Sequence, residues 1–389
     1  MSFSLAVLKE TAPGEKRVAL TPTVATKLER LGAQISIQAG AGVAAFLADS
    51  TFQNSSIETD AKKLVSTADL VLAVDPPDPA TVRAMKRGAI LMSFIHAQNN
   101  PDLVKALCDA RVTALGMERV PRISRAQSMD ALSSQAALAG YLAPLLGAVQ
   151  LPRILPMMTT AVGSLRAATV LVMGLGVAGL SALGTAKRLG AITEGYDVRP
   201  ETREQAESLG AKFVDTGVDA RGEGGYAREL TAEEKAKVAE VVTAHIAAAD
   251  MIITTAGVPG KPAPKLISAT QVAGMKPGSV IVDLVAESGG NCELTKPGET
   301  VVAGPATVLG PLNVPSMLAQ HASELYAKNL LNLIQLIAID GAIRLDFADE
   351  VISGTVLTHD GAIRSPAKAD APTPTPAPAQ ASVPTEKAA

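Results

Sequence analysis

The stretch Val170-Leu171-Val172-Met173-Gly174-Leu175-Gly176-Val177-Ala178-Gly179 decides the fold, because an apolar run leads through a GxGxxG turn into the helical pattern of Leu180–Leu189. In a dinucleotide-binding βαβ unit, such a turn lets the helix N-terminus point its free N–H groups at a pyrophosphate. Asp197 ends the next apolar segment, 23 positions after Gly174. An acidic residue is expected about 20 residues on, where its carboxylate accepts hydrogen bonds from ribose hydroxyls. The sequence therefore predicts a dinucleotide site at this turn.

The carboxylate of Asp197 indicates which dinucleotide binds. A 2′-phosphate next to it would meet like-charge repulsion, which favours NAD over NADP. Arg199, two places later, could accommodate a 2′-phosphate, so NADP stays the alternative. A strand-to-helix turn without any ligand is the other interpretation. The candidate cofactor-binding residues of this unit are Gly174, Gly176, Val177, Ala178, Gly179, Asp197, Val198, Arg199 and Gly257.

The composition indicates a globular protein without a polyanionic partner. Its 389 residues are 47% hydrophobic and 19% charged, which suffices for a buried core and two domains. The net charge of −3 offers no basic surface for nucleic acid. Cys108 and Cys292 lie far apart in the sequence, so we expect neither a disulfide framework nor a metal site. A reducing cytoplasm fits this cysteine usage.

The N-terminus and the apolar segments predict a chain that does not itself enter a membrane. Residues 1–10 become charged too soon for a signal peptide and are typical of a first strand. No continuous apolar run reaches the roughly 18 residues that a membrane helix needs. We therefore expect a soluble chain.

Alternating strand and helix patterns predict an α/β fold with two Rossmann-like parallel-sheet domains joined by long helices. In the first domain, helices are expected at Val24–Leu31, with Thr21 as N-cap, and from Asp102 to about Ala110. Its strands are predicted at Leu5–Leu8, Gln34–Gln38, Leu70–Val74, Ala89–Ile95 and Val112–Met117.

Two long helical patterns set the predicted domain boundaries. Met129–Val149 is expected to lead into the second domain, and Leu318–Leu336 is expected to return to the first. The domains are therefore residues 1–130 together with about 318–365, and residues 131–317. Residues 366–389 are rich in Ala and Pro, which predicts a disordered tail. The polar, glycine-containing segment 215–234 is the candidate for a mobile loop over the site.

A polar stretch before the glycine turn carries a family resemblance. Residues 121–135, with the sequence PRISRAQSMDALSSQ, closely resemble the nicotinamide-side loop of the NAD(H)-binding domain I of proton-translocating nicotinamide nucleotide transhydrogenase. The likeness extends over about residues 4–364 and includes Gly225-Tyr226-Ala227. It implies that Tyr226, at the tip of a mobile loop, closes over NAD(H). It also implies four catalytic loop residues that hold the nicotinamide and its ribose: Arg122, Gln127, Asp130 and Ser133.

The resemblance implies direct hydride transfer between NAD(H) on this chain and NADP(H) on domain III of a partner subunit, coupled to proton translocation through membrane domain II. The loop residues would orient the nicotinamide without reacting themselves. The chain ends after its Ala/Pro tail and so resembles the split form of the family, in which domain I is a separate subunit. A homodimer is also implied, peripheral to the inner face of the plasma membrane through its partners.

Alanine dehydrogenase shares the same two-domain fold and is the first alternative, so the fold alone does not decide. Its chemistry requires an arginine, a lysine, a histidine and a carboxylate around a small organic acid. Arg17, His96 and Glu287 fall near three of these positions, but Asp75 stands where the lysine is expected. Without a cation there, the substrate is poorly held.

A protein that senses NAD without turnover is the second alternative, because it would share every dinucleotide feature. A sensor has no need for a loop that presents one face of the nicotinamide to a partner, which argues against it. Three polar residues keep two interpretations each at this point. Arg17 either bridges its domain to the interdomain cleft or functions in a site, His96 is an ordinary strand-end residue or a base, and Asp283 faces the nucleotide or caps a turn.

Overall fold

The computed structural model of the protein describes residues 2–218, 231–257 and 262–364. These residues form two large sheets of eight and seven strands, together with two short hairpins. Tyr226, most of the predicted loop 215–234 and the predicted tail 366–389 lie outside the described residues.

The first segment of the chain forms a parallel sheet that is covered by helices. Its strands are β1 (Phe3–Val7), β2 (Ala33–Gln38), β3 (Ser56–Glu58), β4 (Leu70–Leu72), β5 (Ile90–Ser93) and β6 (Thr113–Gly116). Its helices are α1 (Pro22–Arg30), α2 (Ala61–Ser66), α3 (Pro79–Ala84) and α4 (Pro101–Asp109). The strands lie in the order β3-β2-β1-β4-β5-β6, and all of these pairs are parallel. This is the doubly wound order of a Rossmann sheet.

The second segment begins with the long helix α5 and a hairpin, and continues into another doubly wound sheet. The elements are α5 (Ala131–Gln150), β7 (Met158–Thr160), β8 (Gly163–Leu165), β9 (Thr169–Met173), α6 (Val177–Arg188), β10 (Ile192–Tyr196), α7 (Thr202–Ser208), β11 (Lys212–Phe213), α8 (Ala232–Ala248), β12 (Met251–Thr254), α9 (Ala269–Ala273), β13 (Ser279–Asp283), β14 (Thr300–Ala303) and β15 (Ala306–Leu309). The order is β11-β10-β9-β12-β13-β15-β14, with only β14 antiparallel among these strands. The crevice of this sheet therefore opens between β9 and β12, where the strand order reverses.

The last segment of the chain returns to the first sheet. It comprises α10 (Ala319–Ile337), β16 (Ala338–Ile339), β17 (Ala342–Ile343), α11 (Glu350–Thr355), β18 (Val356–His359) and β19 (Ala362–Ile363). Helix α10 buries Tyr326, Leu330 and Ile334 in the core of the first sheet. Strand β18 pairs antiparallel with β6 and extends that sheet. The predicted α/β class with two Rossmann-like sheets and long connecting helices is confirmed.

The predicted strands and helices of both sheets agree with the structure to within a few residues. Thr21 precedes α1 as expected, but its hydroxyl is buried and makes no capping bond, so Pro22 alone favours the start of this helix. The predicted boundaries at residues 130/131 and near 318 fall at the first residues of α5 and α10. Because both helices contact both halves of the chain, the division into domains stays a prediction.

Helix α5 corrects the expectation that no segment is long and apolar enough to cross a membrane. By length and composition alone, Ala131–Gln150 passes that test. The sequence reasoning missed it because Ser, Gly, Pro and Gln interrupt the run, although the average over 18 residues remains apolar. In the structure α5 packs against α6 and α10, as a core helix does.

A close contact between α5 and α6 joins the two halves of the chain. A Cβ atom on Gly140 would overlap the carbonyl oxygen of Ala178, so only glycine permits this approach. The Ser181 hydroxyl also donates to the carbonyl oxygen of Ala137 at 2.7 Å. Helix α5 starts in the core of the first sheet with Ala131 and continues in the core of the second.

We predict that Gly140→Ala lowers the free energy of unfolding by about 1–3 kcal/mol, because the new methyl group meets backbone atoms that cannot move away. Gly184→Ala on α6 is the matched control. Its Cβ meets no atom closer than 3.7 Å, so the better helix propensity of alanine should stabilise the protein by about 0.5–1 kcal/mol. Urea denaturation of both variants measures the difference. A neutral or stabilising Gly140→Ala would show that the helices are not in this close contact.

Candidate dinucleotide site

The glycine turn lies at the carboxyl end of β9 with the geometry that its sequence predicts. Gly174 has a φ of +94°, a backbone conformation that L side chains rarely adopt. The Thr255 hydroxyl donates to its carbonyl oxygen at 2.8 Å. A Cβ on Gly179 would overlap the same oxygen, so α6 can start this close to the strand only with glycine there. The turn is thus fixed from both sides of the crevice.

The N-terminus of α6 faces open space. A Cβ on Gly176, the N-cap residue, would meet no heavy atom within 4 Å, and Val177 is 45% exposed. The first N–H groups of a helix have no intrahelical partner and carry a partial positive charge. Residues 176–179 therefore form a cradle that fits a pyrophosphate. This is the observation that tests whether a dinucleotide fits the chain.

Asp197 follows β10, and its carboxylate reaches back to the turn. It accepts hydrogen bonds from the Leu175 amide at 2.7 Å and from the backbone and guanidinium of Arg199 at 2.9–3.0 Å. Burial alone would raise the pKa of Asp197, but these hydrogen bonds outweigh burial and hold the pKa below its ordinary value. The group is therefore ionised at neutral pH. Val198 beside it is 53% exposed.

Asn291 is a structural residue of the site that sequence reasoning missed. It follows β13, and its amide group accepts from the Ala256 amide at 3.0 Å and donates to the Ala256 carbonyl at 2.8 Å. This pairing fixes the backbone next to the predicted site residue Gly257. The only signal in the sequence was its position after a buried strand, which many loop residues share. Asp283, left open above, caps a turn: it accepts from the amides of Val285 and Cys292 and from the Thr295 hydroxyl.

The predicted nicotinamide loop follows β6 at the carboxyl edge of the first sheet. Arg122 and Gln127 are exposed, and within the described ranges their side chains make no hydrogen bond. Asp130 is instead the N-cap of α5, because it accepts from the Ser133 amide at 2.9 Å and from the Ser133 hydroxyl at 2.6 Å. Sequence reasoning did not assign this capping bond, although the Asp-x-x-Ser spacing is a known N-cap pattern.

Helix α5 fixes the distance between this loop and the glycine turn. Asp130 precedes Gly140 by ten residues, which corresponds to about 15 Å along a helix axis. Gly140 contacts Ala178 directly, so one rigid element connects the nicotinamide loop to the pyrophosphate cradle. The structure thus joins the two groups of predicted site residues without direct contact between their side chains. Tyr226 lies outside the described residues.

The residues that an alanine dehydrogenase would use are bonded within the chain. Arg17 donates to both carboxylate oxygens of Glu15 and to the Gln135 side chain of α5. Asp75 lies 3.9 Å from the Arg17 guanidinium. Arg17 thus bridges the first sheet to α5, which is the structural one of its two interpretations. Glu287 accepts from the Asn313 amide at 2.6 Å. His96 is exposed, has a left-handed backbone and stacks on Phe94.

Comparison with known proteins decides the family. A family model described as alanine dehydrogenase/PNT, N-terminal domain, matches residues 6–139, and one described as alanine dehydrogenase/PNT, C-terminal domain, matches residues 143–366. The chain belongs to the alanine dehydrogenase/PNT family. This membership confirms the resemblance seen in the sequence, and the fold of the family is the NAD-binding Rossmann-like fold of an oxidoreductase.

Two members of the family named as transhydrogenases match almost the whole chain. The alpha-1 polypeptide of the NAD(P) transhydrogenase of Rhodospirillum rubrum is 46% identical over 378 residues, which cover 94% of this chain and 98% of that protein. The solved structure of a transhydrogenase from Sinorhizobium meliloti has a TM-score of 0.82 at 39% identity, covering 92% of this chain and 98% of that one. An L-alanine dehydrogenase structure has a TM-score of 0.76 at 24% identity, covering 92% of this chain and 96% of that one, which shows the shared fold alone.

The first sheet has a crevice of its own between β1 and β4, and a side chain of the protein fills it. The Glu10 carboxylate accepts from the amides of Val74 at 2.6 Å and Asp75 at 3.1 Å. Burial raises the pKa of Glu10 to about 8, and these two hydrogen bonds only partly oppose that rise.

The raised pKa of Glu10 predicts a pH dependence of stability. Because its pKa rises from 4.5 to about 8 on folding, the fold binds a proton that the unfolded chain loses in this range. The free energy of unfolding should therefore fall by on the order of a few kcal/mol between about pH 5 and pH 8. Glu10→Gln should flatten this slope, whereas the exposed control Glu324→Gln should keep it. The same slope in Glu10→Gln and wild type, by chemical denaturation, would contradict the assignment.

Proposed function

We propose that this chain is the NAD(H)-binding subunit of a proton-translocating NAD(P) transhydrogenase. The observation that carries the proposal is the exposed Arg122–Gln127 loop at the start of the helix that contacts the pyrophosphate cradle. The near full-length similarity to a transhydrogenase alpha-1 polypeptide supports it. NADP(H) would be bound by a partner subunit, and a membrane-spanning partner would couple the reaction to proton translocation. The chain would then be cytoplasmic and peripheral to the inner face of the plasma membrane.

Each segment of the chain has a role toward NAD(H) in this proposal. The N–H groups at Gly176, Val177 and Ala178 bind the pyrophosphate, with Gly174 and Gly179 shaping the turn. Asp197 accepts from the adenosine ribose, flanked by Val198, Arg199 and Gly257. Arg122 and Gln127 hold the nicotinamide end, because among the described residues no partner takes up their donors and acceptors. Tyr226 closes over the nucleotide.

Asp130 and Ser133 fix the nicotinamide end more indirectly. Of about four acceptor positions on the Asp130 carboxylate, Ser133 fills two, which leaves two for a carboxamide or a ribose hydroxyl. The bound NAD(H) supplies a hydride that passes to a second nicotinamide. The residues of this chain therefore have to orient one ring and exclude water, and neither task requires a general acid or base.

We also propose that two copies of this chain form a homodimer through α5 and the β7–β8 hairpin. Helix α5 is apolar on average, yet only 28% of its most apolar 18-residue window is buried. Val149 at its end is 83% exposed, and Val162 and Leu165 of the hairpin are 98% and 53% exposed. Contiguous exposed apolar surface of this kind marks a contact with another protein. A second copy presents the same apolar surface and so satisfies both faces at once.

The homodimer predicts that Val162→Asp shifts the protein from dimer to monomer in sedimentation velocity, because a charge would be buried in the interface. Val302→Asp is the matched control, since Val302 is 79% exposed on β14 of the second sheet, in neither proposed contact element. It should leave the dimer intact. A wild-type protein that sediments as a monomer would refute the homodimer.

Hydride transfer distinguishes this proposal from both alternatives. An alanine dehydrogenase would oxidise alanine with NAD unaided, and a sensor would transfer no hydride. A transhydrogenase subunit should reduce an NADP analogue with NADH only when the NADP(H)-binding subunit is added. The carboxylate of Asp75 beside Arg17, where a dehydrogenase needs a cation, argues against the first alternative.

In that mixed assay, Arg122→Ala and Asp130→Asn should lower the hydride-transfer rate at least tenfold while changing the Kd for NADH by less than about threefold. Asparagine is as good an N-cap as aspartate, so the second variant keeps α5 intact. Arg125→Ala is the control, because Arg125 belongs to the same loop but pairs with Asp349 at the surface. Equal losses of rate and of NADH affinity would sink the orienting role.

A further inference from the structure

The carboxylate of Asp197 has its hydrogen-bonding positions filled by the chain itself. One oxygen accepts from the backbone amide and the Nε of Arg199, at 2.9 and 3.0 Å. The other accepts from the Leu175 amide at 2.7 Å and from the Nη2 of Arg199 at 2.9 Å. An ionised carboxylate offers about four acceptor positions in all. The ribose hydroxyls of a dinucleotide therefore find none of them free.

Only two of these four donors can leave without moving the backbone. The amides of Leu175 and Arg199 belong to the glycine turn and to the turn after β10. The guanidinium of Arg199 is carried by a side chain that is 44% exposed, whereas the Asp197 side chain is only 6% exposed. Within the described part of the chain, Asp197 is the acidic partner within salt-bridge distance of this guanidinium. Arg199 thus covers the carboxylate and can rotate into solvent.

We propose that Arg199 is an internal competitor for the adenosine ribose and thereby sets the specificity between NAD(H) and NADP(H). This inference rests on the proposed NAD(H) site. When a ribose diol binds, its two hydroxyls take the acceptor positions that Nε and Nη2 vacate. The affinity for NAD(H) is then lower than the carboxylate alone would give, because the ion pair has to open first.

The same ion pair softens the discrimination against a 2′-phosphate. While Arg199 covers Asp197, the pair is neutral overall, and the displaced guanidinium can also pair with a phosphate. Without Arg199, a 2′-phosphate would meet an uncompensated carboxylate. Removal of the guanidinium should therefore strengthen the binding of NADH and weaken the binding of NADPH. A merely structural role of Arg199 would shift both affinities in one direction.

The test is a fluorescence titration of the full chain with NADH and with NADPH. In Arg199→Ala and Arg199→Met we expect the Kd for NADH to fall about two- to fivefold, the range for opening a partly exposed ion pair, and the Kd for NADPH to rise at least as much. Arg203→Ala is the matched control. Arg203 is 43% exposed on α7 and pairs with Asp215, so its loss should leave the ratio of the two Kd values unchanged.

The outcomes separate this inference from the proposed function. Weaker binding of both nucleotides in the Arg199 variants, or an unchanged ratio, would overturn the competitor role. Far-UV circular dichroism and thermal unfolding of each variant check that the fold is retained, and Arg199→Met provides a second variant that keeps the aliphatic stem. Hydride transfer is not part of this readout. Opposite shifts of the two Kd values would therefore support the inference even if the mixed assay showed no hydride transfer.

Discussion

The contact between α5 and α6 is the constraint on which the arrangement of the site depends. Gly140 brings the backbone of α5 against Ala178, in the first turn of the helix that faces a pyrophosphate. The same α5 begins at Asp130, the cap residue that ends the polar loop after β6. Two segments from different sheets are thus held by one helix. If hydride transfer depends on the aim of a nicotinamide ring, this helix determines the aim, because neither loop contacts the other directly.

The two sheets have the same strand order but differ in what fills their crevices. In the second sheet, α6 starts four residues after β9 ends, so its N-terminus lies at the crevice with N–H groups free for an anion. In the first sheet, α1 starts at Pro22, long after β1 ends at Val7, and no helix N-terminus follows β1 directly. The Glu10 carboxylate occupies the amides of Val74 and Asp75 there instead. One fold therefore yields one nucleotide cradle and one crevice closed by its own side chain.

The sequence predicted the features that local patterns encode. The glycine turn, Asp197 and the buried strands were predictable because each has a spacing or a periodicity of its own. The hairpin β7–β8 and the antiparallel pair β18–β6 were not, since short exposed strands lack a clear pattern and pairing partners about 240 residues apart leave no local signal. The same limit applies to the site. Asn291 and Gly140 act through contacts with distant backbone, which only the folded chain shows.

The polar groups of the cleft favour positioning over acid–base chemistry. A dehydrogenase that acts on a small organic acid needs a cation free to bind a carboxylate, yet the Arg17 guanidinium already donates to Glu15 and Gln135. Asp75, beside it, has its pKa raised by burial and by Glu15, and its charge would repel such a substrate. Arg122 and Gln127 remain as exposed polar groups of the loop. They suit a carboxamide ring, whose transfer of hydride to a second ring requires no proton at all. The cleft is thus arranged to hold a nucleotide end and to leave its reacting face to another molecule.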